Sequence, residues 1–211
     1  MQSPRNTLTA GAGELGLALD SVQVDQLLGL LDLLSTWNAK FNLTAIKEPI
    51  AMVEKHLLDS LSVQPWIRGP RVTDVGTGAG FPGLPLAIVN PALRFTLLDA
   101  TGKKIRFVAH AARALGLDHV EAICARAENF RPAEGSATVV SRALAALPAF
   151  VAAAGHLCAP GGALLAMKGR DPGAELADLP RGWRVRAIER LRVPGLDAER
   201  HLVILEREPQ P

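Results

Sequence analysis

Apolar residues recur at helical spacing in the first third of the chain and in short strand-like runs beyond it. Over residues 22–41 they fall three or four positions apart, which is the spacing of one helix face, and a similar pattern covers residues 50–66. We therefore expect two helices that pack their apolar faces as a cap on the rest of the molecule. Residues before about Asp20 are small, polar or glycine-rich, and we expect them to be poorly ordered.

From residue 71 onward, strand patterns and helix patterns alternate, which is typical of a parallel sheet with crossover helices. Predicted strands cover residues 71–74, 94–98, 119–124, 137–140, 163–167, 183–193 and 201–206. Predicted helices cover residues 83–89, 103–115 and 147–157, with a turn at 159–162. The last two strands are expected to form an antiparallel hairpin at one edge of the sheet. The sequence thus predicts an α/β fold with a helical cap over residues 1–69 and a sheet domain over residues 70–211.

Composition excludes several classes of protein. Of the 211 residues, 48% are hydrophobic and 21% are charged, as in globular proteins, and no apolar run is long enough to cross a membrane. The first residues lack the basic-then-apolar order of a signal peptide, and two cysteines do not make a disulfide framework, so we expect a cytoplasmic location. A net charge of +2 is by itself too small to indicate nucleic-acid binding.

The strongest functional signal is the acid–glycine loop, residues 74–83, in which Asp74 ends a strand and Gly76, Gly78 and Gly80 alternate before a helix. Glycine adopts positive φ easily and lets a ligand approach the backbone. Such a loop lies at the carboxyl end of a strand, where open α/β sheets bind their ligands. A purely structural turn is the alternative, but the combination of strand, acid, glycines and helix disfavours it.

Two ligands compete for this loop. Gly78, Gly80 and Gly83 match the G-x-G-x-x-G pattern of dinucleotide enzymes, which favours an NAD-dependent oxidoreductase but is weak evidence alone. The Asp74 carboxylate would disfavour a pyrophosphate and favour a cation. S-adenosylmethionine carries a sulfonium and an ammonium group and no phosphate, so we expect it to be the ligand. A non-catalytic RNA-binding protein with the same fold is a third hypothesis.

The acid–glycine loop resembles the cofactor loop of the RsmG family, formerly GidB, which comprises bacterial 16S ribosomal RNA guanine-N7 methyltransferases. The similarity covers residues 37–203 and includes Trp37-Asn38, Asn42-Leu43-Thr44, His56-Leu57-Leu58-Asp59-Ser60, Leu97-Leu98-Asp99, Gly102-Lys103-Lys104, Ser141-Arg142-Ala143 and Lys168-Gly169. The resemblance implies a seven-stranded Rossmann-like methyltransferase fold with an N-terminal helical cap. It also implies S-adenosylmethionine as the cofactor and a guanosine of 16S ribosomal RNA, free or in the small ribosomal subunit, as the substrate.

Asp99 ends the second predicted strand, where a carboxylate can accept hydrogen bonds from ribose hydroxyls, the alternative being a helix N-cap. By resemblance, Arg142 at the end of the fourth strand binds the cofactor, for which a bidentate pair with its carboxylate is expected. Glu128 is a cofactor contact by resemblance, with a solvated surface acid as the alternative. The resemblance implies further cofactor contacts at Gly76, Gly78, Phe81 and Ala127.

Three residues are expected on the substrate side. Lys168 ends the fifth predicted strand and is expected to contact an RNA phosphate or the substrate, the alternative being an unrelated surface cation. Asn42 and His56 come from the cap, where a substrate pocket and a structural hydrogen-bonding role are both open. Further candidates for phosphate contacts are Lys103, Lys104 and Arg106. The arginines of the sixth strand are expected to protect the sheet edge.

The residues present agree with methylation at N7. Guanine N7 has a free lone pair and no proton, so we expect no general base; alignment with the S–CH₃ bond and exclusion of water can carry catalysis. An exocyclic amine would favour an Asn/Asp-Pro-Pro-aromatic motif after the fourth strand, where Ser141-Arg142-Ala143 stands. A pyrimidine carbon would need a cysteine nucleophile, and the positions of Cys124 and Cys158 look structural. We expect no metal and no membrane partner.

Overall fold

A seven-stranded sheet with helices on both faces is the frame of the molecule. The computed structural model describes residues 3–142, 146–170 and 172–208. Its strands are β1 (Arg71–Val75), β2 (Arg94–Asp99), β3 (Val120–Cys124), β4 (Ser136–Arg142), β5 (Cys158–Lys168), β6 (Trp183–Arg190) and β7 (His201–Arg207). Its helices are α1 (Pro4–Glu14), α2 (Ser21–Phe41), α3 (Pro49–Met52), α4 (Asp59–Leu61), α5 (Gly83–Val89), α6 (Gly102–Ala114) and α7 (Leu147–Ala154). A π-helical segment, Val53–Leu58, joins α3 to α4.

The strand order β3-β2-β1-β4-β5-β7-β6 confirms the predicted α/β fold. Strands β1 to β5 are parallel, whereas β7 runs antiparallel between β5 and the edge strand β6, as the predicted hairpin requires. The carboxyl ends of the parallel strands therefore meet at one edge, where an open α/β sheet binds its ligands. Because β7 is antiparallel, its first residue, His201, lies opposite Lys168 at this same edge.

The N-terminal helices share a hydrophobic cluster with one face of the sheet. Leu27 and Leu34 of α2 and Leu57 of the π-helical segment are fully buried in the cluster that contains Val72 and Phe95. Helices α5 and α6 complete this face, and α7 covers the other together with the β6–β7 hairpin. An α2 capping box, in which Asp20 accepts from the backbone N–H of Gln23, fixes the start of the long helix. The division into a cap and a sheet domain stays a prediction.

Three local expectations were wrong. In the segment before Asp20, Pro4–Glu14 form α1, because Ser3 caps the helix, Pro4 begins it and Leu8 packs into the common cluster. The helix predicted at 50–66 is interrupted by the π-helical segment and ends at Leu61. The predicted turn at 159–162 lies inside β5, where the register with β4 shifts between Ser136 and Thr138.

We expect Leu27→Ala to lower the free energy of unfolding of the whole chain by about 2 to 5 kcal/mol, because it opens a cavity in the shared cluster. Urea unfolding followed by circular dichroism and by tryptophan fluorescence measures this loss. Val22→Ala, on the same helix but 62% exposed, is the matched control and should change little. Two separate transitions, of which only one responds to Leu27→Ala, would contradict a shared core.

Candidate active site

The acid–glycine loop is held by hydrogen bonds from its own backbone to a neighbouring strand and to a carboxylate. The N–H groups of Gly76 and Thr77 donate to the Leu98 carbonyl at 2.8 and 3.0 Å. Gly76, Gly78 and Gly80 all have positive φ, at 70°, 61° and 88°, as the alternating glycines predicted. The loop is thus a fixed turn between β1 and α5.

Asp74, at the end of β1, is completely buried. Its Oδ2 accepts from the Thr77 hydroxyl at 2.6 Å and from the Gly83 N–H at 2.8 Å, so it links strand, loop and helix. A Cβ at position 83 would lie 2.7 Å from that oxygen, which explains the glycine there. Burial raises the pKa of Asp74 to about 6. Its Oδ1 has no hydrogen-bond partner among the described residues and can still accept from a donor.

A pocket of about 310 Å³ lies at the carboxyl ends of β1 to β3. This β2 pocket brings together four of the predicted cofactor residues, namely Gly76, Asp99, Ala127 and Glu128. Its other lining residues are Val75, Leu98, Ala100, Ala125, Arg126, Ala149 and Ala153. Ala127 is half-buried and Glu128 is exposed. The small side chains leave room for a flat ligand between the sheet edge and α7.

Asp99 connects the β2 pocket to the acid–glycine loop. Its Oδ2 accepts from the Gly78 N–H at 3.0 Å, and its Oδ1 accepts from the Thr101 N–H at 2.8 Å. Lys104 lies 3.6 Å from Oδ2. Thr101, and not Asp99, occupies the N-cap position of α6, so the N-cap alternative is wrong. Both Asp99 oxygens keep lone pairs, because a carboxylate offers about four acceptor sites.

The same contacts argue against a dinucleotide. A pyrophosphate on a G-x-G-x-x-G loop is bound by backbone N–H groups of the loop and of the helix N-terminus. In this chain the N–H groups of Gly78 and Gly83 already donate to the carboxylates of Asp99 and Asp74. An anion placed there would meet two negative charges, so the residues fit a cationic ligand better.

A second pocket, of about 320 Å³, lies beside the first at the ends of β4 and β5. This β4 pocket is lined by Ile46, Lys55, His56, Asp59, Arg142, Met167, Lys168, Gly169 and Arg200. It contains three predicted site residues, Arg142, Lys168 and His56. Four cationic side chains and one carboxylate face it, so its lining carries a positive excess.

Phe81 stands between the acid–glycine loop and the β4 pocket. Its ring is buried and stacks on His56, with ring centroids 4.7 Å apart and an angle of 20° between planes. The guanidinium carbon of Arg142 lies 5.6 Å from the centre of the same ring. Phe81 therefore packs against the β4 pocket through His56 and Arg142, although it belongs to the loop.

Asp59 holds two arginines that are distant in the sequence. Its Oδ2 accepts from Nη1 of Arg142 at 3.0 Å, and its Oδ1 accepts from Nε of Arg200 at 2.8 Å. The Asp59 side chain is only 3% exposed, whereas both arginines are about one-quarter exposed and keep donors on the pocket side. A buried carboxylate between two guanidinium groups is well compensated and fixes both side chains.

His56 is neutral in this setting. Burial, together with the positive charge of Arg142, lowers its pKa to about 4. One ring nitrogen, Nε2, lies 3.0 Å from the Thr44 hydroxyl, while Nδ1 has no partner among the described residues. An uncharged ring is available for stacking and hydrogen bonding but not as a cation.

Two predicted substrate residues have structural partners. Asn42 adopts a left-handed conformation, with φ 50°, at the end of α2 and is exposed in a separate pocket that shares only Ile46 with the β4 pocket. Lys168 forms an ion pair with Glu175 at 2.8 Å. The buried Ser60 hydroxyl donates to the His56 carbonyl one helical turn earlier. The functional roles of Asn42 and Lys168 stay predictions.

Sequence reasoning missed part of both pockets. Arg200 follows the loop before β7, and no local pattern connects it with Asp59. Ala149 and Ala153 line the β2 pocket from α7, and their spacing of four residues on one helix face was a usable signal. Asp59 belongs to the motif of residues 56–60. Its role in the pocket can be distinguished from a purely structural one only by its position between Arg142 and Arg200.

A larger open cleft, of about 820 Å³, lies at the amino ends of β1 to β4, and none of the predicted site residues lines it. Within the described ranges, no three His, Cys, Asp or Glu side chains are close enough together to hold a metal ion. In the same part of the chain, every helix is too short or too polar to cross a membrane. The predicted site residues that share a pocket with one another lie in the β2 and β4 pockets.

Comparisons with known proteins agree with this geometry. The family model GidB, described as rRNA small subunit methyltransferase G, matches residues 23–203. A curated protein named "Ribosomal RNA small subunit methyltransferase G" from Methylococcus capsulatus is 51% identical over 199 residues, which cover 94% of this chain and 97% of that protein. The Marinobacter nauticus protein of the same name is 48% identical over 200 residues, which cover 95% of this chain and 94% of that protein. A solved SAM-dependent methyltransferase from Aquifex aeolicus shares the fold, with a TM-score of 0.56 at 20% identity over 74% of this chain and 92% of that one.

The buried Asp74 predicts a distinctive dependence of stability on pH. Its pKa rises from 3.8 to about 6 on folding, so the folded chain binds more protons in that interval and its free energy of unfolding falls as the pH rises through it. The fall amounts to about 3 kcal/mol for a change of this size. Asp74→Asn removes this pH dependence because an amide does not titrate, and its oxygen can still accept from Thr77 and Gly83.

Urea unfolding at several pH values checks this expectation. Relative to the wild type, Asp74→Asn should gain stability between pH 4 and 7, whereas Asp32→Asn, on the exposed side of α2, controls for the substitution itself. If the difference in free energy of unfolding between Asp74→Asn and the wild type does not change with pH, burial does not raise the pKa of Asp74.

Proposed function

This chain belongs to the GidB family of rRNA small subunit methyltransferase G proteins, and we propose that it transfers a methyl group between its two adjoining pockets. It is an S-adenosylmethionine-dependent methyltransferase, and its acceptor is N7 of a guanosine in 16S ribosomal RNA. The cofactor occupies the β2 pocket and the guanosine occupies the β4 pocket. The observation that carries this division is Phe81, a residue of the acid–glycine loop that packs directly against His56 and Arg142 of the β4 pocket.

The β2 pocket offers the groups that the cofactor requires. Bound S-adenosylmethionine supplies a methyl group on a positively charged sulfur. Asp99 accepts from the ribose hydroxyls with its remaining lone pairs, and the alternating glycines let the backbone approach the ligand. The Asp74 carboxylate supplies negative charge near the loop and favours a cationic ligand over a phosphate. Gly76, Gly78, Ala127 and Glu128 complete the contacts.

Arg142 lines the β4 pocket beside Phe81 of the acid–glycine loop and binds the carboxylate of the cofactor. One of its nitrogens, Nη1, is used by Asp59 and by the Lys55 carbonyl, both at 3.0 Å. The remaining N–H groups of its planar guanidinium are free to form charge-assisted hydrogen bonds. Because Asp59 holds the side chain in place, little rotational freedom is lost on binding.

The β4 pocket receives the guanosine and its phosphate. Arg200 and Lys168 supply positive charge for the RNA backbone, and the neutral His56 supplies a polar ring beside the base. Asp59 and Glu175 partly neutralise these cations, which limits repulsion of the purine when it becomes positively charged. No residue of the pocket has to remove a proton, since N7 carries none. The residues act by aligning N7 with the methyl group and by excluding water.

The enzyme acts on RNA that has to present an unpaired or extruded guanosine, because N7 must approach the methyl group in line. We propose that the substrate is 16S ribosomal RNA in the small subunit or before assembly, and that the enzyme works in the cytoplasm. Residues 1–69 form the cap that supplies His56 and Asp59, and residues 70–211 form the methyltransferase domain. The proposed reaction involves neither a metal ion nor a membrane.

Transfer of a labelled methyl group to small subunits from cells that lack this enzyme tests the function. We expect one N7-methylguanosine per 16S ribosomal RNA, mapped by chemical cleavage at the modified base. Calorimetry should show binding of S-adenosylmethionine and none of NAD. Binding of NAD alone, or a label at another atom, would overturn the assignment, and cofactor binding without transfer to any ribosomal RNA would leave only a binding protein.

The variants Arg142→Gln and Arg200→Gln distinguish cofactor binding from RNA binding. Both residues bind Asp59, but only Arg142 is assigned to the cofactor. We expect Arg142→Gln to weaken S-adenosylmethionine binding by about 10- to 100-fold, the range for loss of a charge-assisted hydrogen-bond pair. Arg200→Gln should leave cofactor affinity nearly unchanged and raise KM for the RNA. Calorimetry and steady-state kinetics measure the two effects. Equal loss of cofactor binding in both variants would mean that they act through Asp59 and the fold.

A further inference from the structure

We propose that the outward face of α6 is a second RNA-binding surface, which holds the sugar–phosphate backbone of the substrate away from the nucleotide being methylated. We call it the α6 basic face and define it by Lys103, Arg106, His110 and Arg113. The proposal rests on the proposed function, because it takes the same ribosomal RNA as its ligand. It adds a binding site that contributes to affinity and not to chemistry.

The four residues lie on one side of the helix. They stand at intervals of three, four and three positions, so their side chains follow one another at about 4.5 to 6 Å along the helix axis. Lys103, Arg106 and Arg113 are exposed, and His110 is half-exposed. The other exposed residues of this face are small: Gly102, Ala109 and Ala114. A polyanion can therefore approach the helix closely.

The charge of this face is not neutralised by the protein. Helix α6 contains four Lys or Arg residues and no acidic residue. Lys104 pairs with Asp99 at the β2 pocket, but among the described residues Arg106 and Arg113 form no ion pair. Regularly spaced cations without carboxylate partners are the arrangement that binds phosphates by releasing counterions.

Aromatic rings border the α6 basic face. Trp37 of α2 lies 5.1 Å from His110, 5.3 Å from Phe41 and 5.6 Å from Phe107, measured between ring centres. The indole, His110 and Phe41 are only partly buried. Basic side chains next to partly exposed aromatic rings are typical of single-stranded RNA surfaces, where bases stack without sequence preference. This observation favours RNA over an acidic protein as the partner.

A short segment connects this face with the β4 pocket. The Lys103 ammonium donates to the Phe41 carbonyl at 3.2 Å, where α2 ends. The exposed Asn42 follows, and the Thr44 hydroxyl then reaches His56 at 3.0 Å, while Ile46 lines the β4 pocket itself. RNA bound along α6 can thus enter the pocket over residues 41–46. Asn42, which is structural at the helix end, lies on this path.

The edge strand β6 provides a matched control. It also carries exposed arginines, Arg184, Arg186 and Arg190, but Arg184 pairs with Glu206. Within the described part of the chain, none of the three lines either pocket, and no pair of stacked or edge-on rings lies on β6. Charged side chains on an exposed strand prevent edge-to-edge association. The double variant Arg184→Gln/Arg190→Gln removes as much charge as Arg106→Gln/Arg113→Gln does from α6.

The test measures binding of naked 16S ribosomal RNA and of undermethylated small subunits between 50 and 200 mM salt. We expect Arg106→Gln/Arg113→Gln to lower the slope of log K against log salt by about 1.5, since each phosphate contact contributes about 0.7 to 0.9. At 0.15 M salt this corresponds to a loss of affinity of about 10- to 20-fold. KM for the RNA should rise in parallel, with kcat and S-adenosylmethionine affinity unchanged. The β6 double variant should behave like the wild type.

Several outcomes would overturn the α6 basic face. An unchanged slope, or an equal loss in the β6 variant, would show that these cations bind no specific stretch of backbone. A loss for subunits but not for naked RNA would point to a ribosomal protein as the partner. A fall in kcat or in cofactor affinity would indicate a change in the fold. If the wild type itself transfers no methyl group to ribosomal RNA, the proposed function fails. If the wild type is active and the α6 variant binds RNA as tightly as the wild type does, only the α6 basic face is refuted.

Discussion

The buried carboxylate of Asp74 joins three elements of the chain, since one of its oxygens receives the Thr77 hydroxyl and the Gly83 N–H. This contact sets the end of β1, the curvature of the acid–glycine loop and the start of α5 at once. Its hydrogen-bond donors are neutral, and the positive charge of Arg142 only partly offsets the cost of burying the carboxylate. A positively charged ligand offsets that cost, which makes the binding loop complementary to a sulfonium compound.

A second buried carboxylate, Asp59, has the opposite environment. Arg142 and Arg200 compensate its negative charge without a ligand, and it fixes the positions of both side chains. The π-helical segment before it presents Lys55 and His56 to the same pocket, and such segments often occur at functional sites. The two carboxylates thus divide the site electrostatically, with negative character at the acid–glycine loop and a positive excess in the β4 pocket.

Phe81 couples these two regions, because it belongs to the loop by sequence and to the β4 pocket by packing. Its ring is buried, with the His56 ring stacked on it and the Arg142 guanidinium carbon 5.6 Å from its centre. Phe81 thus forms a fixed apolar wall between the charged groups of the two regions.

The sequence by itself determined the elements and their order, because periodicity and glycine placement are local properties of the chain. It also placed Gly76, Asp99, Arg142 and Lys168 at one edge, since residues that end parallel strands must meet there. Only the tertiary structure decided that Asp59 lies between Arg142 and Arg200, residues 83 and 141 positions away. Folding also ordered α1 against the common core and left the α6 basic face outward. Contacts of this kind depend on how whole elements pack, and no local pattern records that packing.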